Sequence, residues 1–275
     1  MFEADLREGS IAAADSKMGF RMLENGRRIS EAQGAILAGA NLKHCSMTGC
    51  NMAGADLSGT DLQGADLRDA VMVGATLNSC SFDGAQMEGT LTDRPLGRDV
   101  AVLPYGDMLH EHALWCETQG TQGAPSVFDG ADLRTLASIK GYNLTAMSAK
   151  GAVFYGLDME GVQLQGAQLQ GADLRGANLK RADLRGARMS RAKLAGADLR
   201  EALMGPLLLG ADRVLPCDLA RASIKGADLR GADLRRAILT GADLSRSDFT
   251  GTNLRDADLE DVVVKGCKGL VLPQK

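Results

Sequence analysis

Residues 171–186 read GADLRGANLKRADLRG, with an apolar residue, usually leucine, at every fifth position. Neither regular secondary structure has that period. In an α-helix five steps of about 100° leave each leucine about 140° from the last, so no apolar stripe forms. A straight strand alternates its faces every second residue, so an odd repeat throws successive leucines to opposite sides. A chain that turns a corner in every unit escapes both objections. In such a unit Ala172 points in, Asp173 points out and Leu174 points in; Arg175 and Gly176 then turn the corner and reset the parity. Glycine suits a tight corner, and it closes eight of the eleven units in the first run.

Taking the leucine position as the centre of each unit, one register runs from Leu37 to Met87 in eleven units, and a second from Ile139 to Val264 in 26. Phe128 and Leu133 precede the second, and one extra residue near Leu136 shifts the phase. A five-residue unit cannot bury its own leucine, so the pattern predicts a solenoid held by stacking of coil on coil. Only 4% of residues are aromatic although 45% are hydrophobic, so the core must be built from Ala, Leu and Met.

The units resemble the pentapeptide-repeat family, whose signature is A(D/N)LXX. The resemblance covers roughly 39 units, or about 195 of 275 residues. It implies an all-β solenoid: a right-handed quadrilateral β-helix with four of these units in each coil. Spacing alone does not give the number four. Expected segments are a terminal cap at 1–34, a first repeat block at 35–89, a helix-containing insertion at 90–127, a second block at 128–266 and a tail at 267–275. Asn25–Gly26 in the cap is a hairpin signal.

Five of the six cysteines, Cys45, Cys50, Cys80, Cys217 and Cys267, fall at the small inward position two before a centre. No two are separated by a whole number of four-unit coils, so none stacks on another. They read as reduced thiols filling the place of alanine.

Two regions depart from the repeat. In the insertion, GDMLHEHALWCETQG reads as a helix near 108–118 with Asp107 as N-cap and Gly120 as its stop. Leu109, Ala113 and Cys116 share one face, and Trp115 flanks it as an expected cap over an open coil end. His112 and Cys116, with His110 nearby, have the spacing of metal ligands, but no further ligands accompany them, and a packing helix is the plainer reading. HEHALWCETQGTQG is also similar to a linker in some bacterial members of the family. The second departure, LMGPLLLGADRVLP, keeps phase through Met204, Leu209, Val214 and Leu219, while Pro206 and Pro216 replace glycine at corners. Leu203 and Leu208 take outward positions there and mark a candidate partner surface.

Residues 1–130 carry 18 acidic and nine basic side chains, residues 131–275 carry 17 and 22. At four units per coil, Asp158, Asn178, Asp198, Asp218, Ile238 and Asp258 form a largely acidic column, a second candidate surface. The net charge of −4 favours no general affinity for nucleic acid or anionic membrane, and direct nucleic-acid binding is not expected. No apolar run reaches membrane-spanning length and no secretory signal opens the chain, which points to a soluble cytoplasmic protein.

No catalytic constellation is present, and no cofactor or resident metal is expected. The expectation is a non-enzymatic protein-binding or scaffold solenoid of unknown partner. Some members of the family are acidic quinolone-resistance factors that mimic B-form DNA and bind gyrase. The basic C-terminal half departs from them and makes that an alternative, as is a small metal or enzyme site in residues 90–127. The apolar end VVVKGCKGLVLPQK, with Val263, Leu270 and Leu272, suggests a cap or a homodimer contact.

Overall fold

The computed structural model describes residues 34–94, 104–136, 138–210 and 213–271, and also a short antiparallel pair, β1 (Ala14–Asp15) with β2 (Gly19–Phe20). The expected Asn25–Gly26 hairpin, and Leu272 in the tail, lie outside the described residues. The chain divides into two compact units, Met1–Pro95 and Leu96–Lys275.

In the first unit, parallel bridges join Ile36 to Asp56, Asn41 to Asp61 and so on to Val71 with Leu91, always four repeats apart. One coil is therefore four five-residue units. Each unit contributes a single bridging residue per side, which is why so little of the chain forms extended strands.

The unit 172–176 shows why the repeat reads as it does, because all five of its backbone N–H groups have partners. Ala172 N–H closes the preceding corner on Leu169 O (3.0 Å). Asp173 N–H donates back to Ala152 O of the previous coil (2.8 Å), and Leu174 and Gly176 donate forward to Lys193 O and Ala195 O (2.7 and 3.0 Å). Stacking leaves only Arg175 N–H without a carbonyl, and the Asp173 carboxylate accepts it at 3.3 Å. The aspartate or asparagine of each unit thus satisfies the one donor that coil stacking misses. Ala172 and Leu174 are fully buried, as sequence spacing requires.

Polar residues in the alanine position are satisfied in one recurring way. Thr60, Thr90, Ser247 and Thr252 each donate to the carbonyl of a centre residue 23 positions earlier (Leu37, Leu67, Ile224 and Leu229) at 2.6–2.9 Å. Cys80 and Cys267 do the same through Sγ to Leu57 O and Leu244 O at 2.9 Å. All six cysteines are free thiols. Burial pushes the Cys50 thiol up to about 11, so it stays protonated.

The second unit has two register shifts. Val127 pairs with Ser148 and Asp132 with Val153, one residue more than a four-unit coil, which accommodates the extra residue near Leu136. The regular spacing then holds from Ser138 with Asp158 to Asp183 with Leu203. Arg188 next pairs with Asp218, Lys193 with Ser223, Asp198 with Asp228 and Leu203 with Asp233, six repeats apart, before the spacing of four resumes. Two units' length of chain has left the coil as an antiparallel hairpin of β3 (Leu207–Leu208) and β4 (Val214–Leu215).

This corrects the uninterrupted register. Leu209 and Val214 are not core centres but exposed side chains on the hairpin. Leu174 and Leu194 share a column with Ile224, whereas Leu234 stacks on Met204, as the bonds Leu194 N–H to Ser223 O and Met204 N–H to Asp233 O (both 2.7 Å) show.

One helix, α1 (Tyr105–Glu117), precedes the second run of coils. It starts earlier than the sequence suggests: Pro104 is the N-cap, without a side-chain bond, and Asp107 sits in the first turn. Gly120, at φ +84°, ends it by donating to Trp115 O at 2.8 Å. Leu109 is buried in the core cluster of the second unit, with Met108 packed beside it.

Candidate interaction surface

The expected acidic column does not form as drawn. The hairpin displaces everything after it by half a coil. The actual column runs Ser138, Asp158, Asn178, Asp198, Asp228, Asp248, Lys268. Asp218 and Asp258 belong to another, running Ser148, Gln168, Arg188, Asp218, Ile238, Asp258.

Two of the four carboxylates in the true column are paired with arginine, and the other two accept from neutral side chains. An arginine two residues after an aspartate folds back over it. Arg200 meets Asp198 at 2.5 Å and reaches Asp228 of the next coil at 3.7 Å; Arg230 meets Asp228 at 2.7 Å. Asn178 Nδ2 donates to Asp158 at 2.8 Å, and Thr250 Oγ1 to Asp248 at 2.6 Å. Burial raises Asp198, but the hydrogen bonds from Arg200 outweigh it and hold the carboxyl below its ordinary value. Arg230 does the same for Asp228. Similar pairs, Asp66–Arg68, Asp132–Arg134, Asp173–Arg175, Asp183–Arg185 and Asp233–Arg235, recur along both units. Paired in this way, the aspartates show solvent a mixed-charge surface rather than a row of free anions.

Leu203 and Leu208 lie where the coil is interrupted. Leu203 occupies a bridge position between Asp183 and Asp233 and is 41% exposed. On the hairpin, side chains alternate. Leu207 and Leu215 turn back onto the corner at Gly186, where an added Cβ would lie 2.7 Å from Leu207 Cβ. Leu208, 70% exposed, and Val214 turn out. Beside the hairpin opens a cleft of about 430 Å³, lined by Gly205–Leu208 together with Arg185, Asp233, Arg235, Arg236, Arg255 and Asp256. Sequence reasoning missed this cleft because it assembles only once the register has slipped.

The metal-ligand reading of α1 fails on geometry. His112 is fully buried, accepting Ser126 N–H at Nδ1 (2.7 Å) and directing Nε2 at Thr145 O (3.0 Å). Both ring nitrogens are engaged, in the neutral tautomer with the proton on Nε2. Cys116 Sγ faces the same Thr145 carbonyl at 3.8 Å, and burial raises its pKa, so it is no thiolate nucleophile. His110 is exposed. Trp115 packs its ring 5.6 Å from that of His112. Among the described residues no cluster of three His, Cys, Asp or Glu side chains has metal-binding geometry.

The family model for pentapeptide repeats matches in eight copies, over residues 32–64, 55–91, 137–176, 167–204, 217–256 and 227–266, about two thirds of the chain. The chain is a pentapeptide-repeat protein. The breaks in the match fall at the insertion holding α1 and at the β3–β4 hairpin. Among solved structures, HetL, a pentapeptide-repeat protein involved in heterocyst differentiation regulation in the cyanobacterium Nostoc sp. strain PCC 7120, is 24% identical, with 86% of this chain and 87% of that one covered and a TM-score of 0.28. QnrB1, a plasmid-mediated fluoroquinolone resistance protein, is 19% identical over 85% and 88% of the two chains, with a TM-score of 0.24. Rfr23 from the cyanobacterium Cyanothece 51142 is 21% identical over 50% and 93%, with a TM-score of 0.19. No curated protein sequence matches the chain.

The last coil of this pentapeptide-repeat protein is partly covered by its own tail. Leu270 packs against the core, while Val263, Val264 and Val271 remain exposed, Val271 at 80%. Among the described residues no helix is long and apolar enough to cross a membrane.

Proposed function

We propose that the chain is a non-enzymatic protein-binding scaffold whose partner engages the second unit around the β3–β4 hairpin. The observation that carries this is the hairpin itself: a stretch two repeats long leaves a regular coil to present Leu208, Leu209 and Val214 to solvent. Single exposed leucines are ordinary, but an excursion that gathers several apolar side chains on one projection is the pattern of a binding surface. The coil beneath it, taken as the right-handed quadrilateral β-helix of the family, is a rigid support. Free thiols, three of them buried, suit a reducing cytoplasm.

The DNA-mimicking, gyrase-interacting alternative needs rows of uncompensated carboxylates, and arginine pairs interrupt the column of the second unit at Asp198 and Asp228. The metal or enzyme alternative needs free ligands on α1, and His112 is committed to Ser126 and Thr145. The test is capture from native lysate by the intact chain and by a chain lacking residues 206–215 and carrying Pro216→Gly. A partner held by the intact chain alone supports the reading; equal capture by both removes the hairpin from it, and a gyrase supercoiling assay then tests the alternative.

The exposed valines at the C-terminal end favour a second contact, with another copy of the chain. A symmetric pairing of identical ends closes the open apolar coil. Light scattering on the intact protein at tens of micromolar decides this, since a monomer mass there ends it.

A further inference from the structure

We propose that the cleft beside the β3–β4 hairpin binds an extended acidic peptide segment of a partner protein, one that carries an apolar side chain beside its carboxylates. The proposal rests on the scaffold reading and names the chemistry of the partner.

The charge in the cleft is unevenly distributed. Arg235 is neutralised by Asp233, with Nη2 to Oδ2 at 2.7 Å and Nε to Oδ1 at 2.9 Å. Arg236 has no carboxylate partner among the described residues. Arg255 is held only by Asp256, at 3.6 Å, and both side chains are well exposed. Arg236 and Arg255 stand in adjacent coils, joined by the bond from Arg236 N–H to Arg255 O (2.9 Å). One coil on from Arg236 stands Asp256, which leans to Arg255 instead, so Arg236 keeps its donors without a carboxylate in contact among the described residues. A ligand carboxylate would match the planar fork of the unpaired Arg236 or of the loosely held Arg255.

The hairpin contributes Pro206, Leu207 and Leu208 to the lining, Leu208 largely exposed. Arginines and the apolar residues of the hairpin lining one cleft fit a peptide of alternating acidic and apolar residues. A nucleic-acid strand fits less well: the cleft lining contains no aromatic ring for base stacking, and Asp233 and Asp256 lie among the arginines.

The probe is a fluorescein-labelled peptide in which aspartate and glutamate alternate with leucine. A peptide with lysine for each acid and a single-stranded oligonucleotide serve as comparisons, all read by anisotropy against the full chain. The acidic peptide should bind the wild type and not the comparisons. Its affinity should fall with added salt, and should drop about tenfold or more in Arg236→Glu with Arg255→Glu and in Leu208→Asp. All three side chains are exposed, so the variants keep the fold, which their melting curves verify. Absent peptide binding, binding unchanged in both variants, or tighter binding of the oligonucleotide each overturns the proposal. Lysate capture separates this failure from that of the scaffold reading. Partners held equally by the wild type and the double arginine variant overturn the cleft and leave the scaffold; no partner held by either overturns the scaffold reading itself.

Discussion

His112 Nε2 lies 3.0 Å from the carbonyl oxygen of Thr145, where an ordinary coil would receive a backbone donor. One coil later, Gln165 O in the same column accepts Ala146 N–H at 2.9 Å. Thr145 is in the first coil of its run, and α1 supplies its donor from a side chain. The helix is therefore matched to the hydrogen-bonding edge of the solenoid as well as to its apolar end, where Leu109 is buried.

That pairing predicts a pH dependence. Burial holds the His112 pKa below its ordinary 6.5. Its folded-state pKa is thus lower than its unfolded one, so the unfolded chain binds more protons between the two values. The stability that the neutral ring contributes is fully present above pH 6.5 and is lost as pH falls towards the folded pKa. His112→Ala should cost about 2 kcal/mol or more, because Thr145 O and Ser126 N–H both lose a buried partner. It should also flatten the melting temperature against pH across this window. An equally steep fall in the alanine variant would show that other groups carry it.

Two glycines separate backbone strain from collision. Gly176, at φ +64°, has nothing within 4 Å of where a Cβ would stand. Gly176→Ala should cost only the left-handed penalty, about 1 kcal/mol. Gly123, at φ +73°, would place a Cβ 2.2 Å from Glu111 O and 2.7 Å from Trp115 N, both on α1. Gly123→Ala should cost roughly 3 kcal/mol or more and displace the helix. Emission from Trp115, the only tryptophan, reports that displacement, and should change for Gly123→Ala but not for Gly176→Ala.

The repeat was legible because Leu174 and its equivalents must all reach one core, and because the single extra residue near Leu136 breaks a five-residue phase visibly. The hairpin was not legible by phase. It is a whole two units long, so Leu209 and Val214 fall in step with Met204 and Leu219 while standing outside the coil. The signal was Pro206 and Pro216. Corner glycines such as Gly186 have φ near +66°, and proline is locked near −65°, so neither proline can make a regular corner. The acidic column was misplaced for the same reason, and the arginine cleft was invisible because Arg235 and Gly205 become neighbours only after the slip. For α1, apolar periodicity chose the face of Leu109, Ala113 and Cys116, of which Leu109 is buried in the core, but it did not show the polar contact of the buried His112 with Thr145.

The slip can be tested by cross-linking. Asp198 and Asp228 are bridge partners in adjacent coils, at the roughly 5 Å Cα spacing that a disulfide spans. Asp198→Cys with Asp228→Cys should therefore cross-link readily under mild oxidant. Asp198→Cys with Asp218→Cys, the pair that an unbroken four-unit coil would stack, should not, because Asp218 stands two units away around the coil. Intramolecular linkage read by mass spectrometry decides it, and efficient linkage of the second pair would restore the uninterrupted register.

Excising the hairpin tests whether it is an insertion into the coil or a part of its support. Removing residues 206–215 subtracts two units and brings Gly205 next to position 216, with Cys217 still at the inward position before Leu219. Position 216 then becomes a corner, which asks for a positive φ and a backbone N–H donating to Arg235 O in the next coil. Proline supplies neither, so the excision should require Pro216→Gly. With that change the coil closes uniformly at four units. The bonds from Met204 N–H to Asp233 O (2.7 Å) and from Asp218 N–H to Ala187 O (2.9 Å) stay as they are. The lost packing of Leu207 and Leu215 on the Gly186 corner is offset by removing the exposed Leu208, Leu209 and Val214 and by the shorter chain to order. The expected melting temperature is within a few degrees of the wild type for the excised chain with Pro216→Gly, and clearly lower with Pro216 retained. A collapse of the melting transition in both would mean that the hairpin holds the two halves of the second unit together.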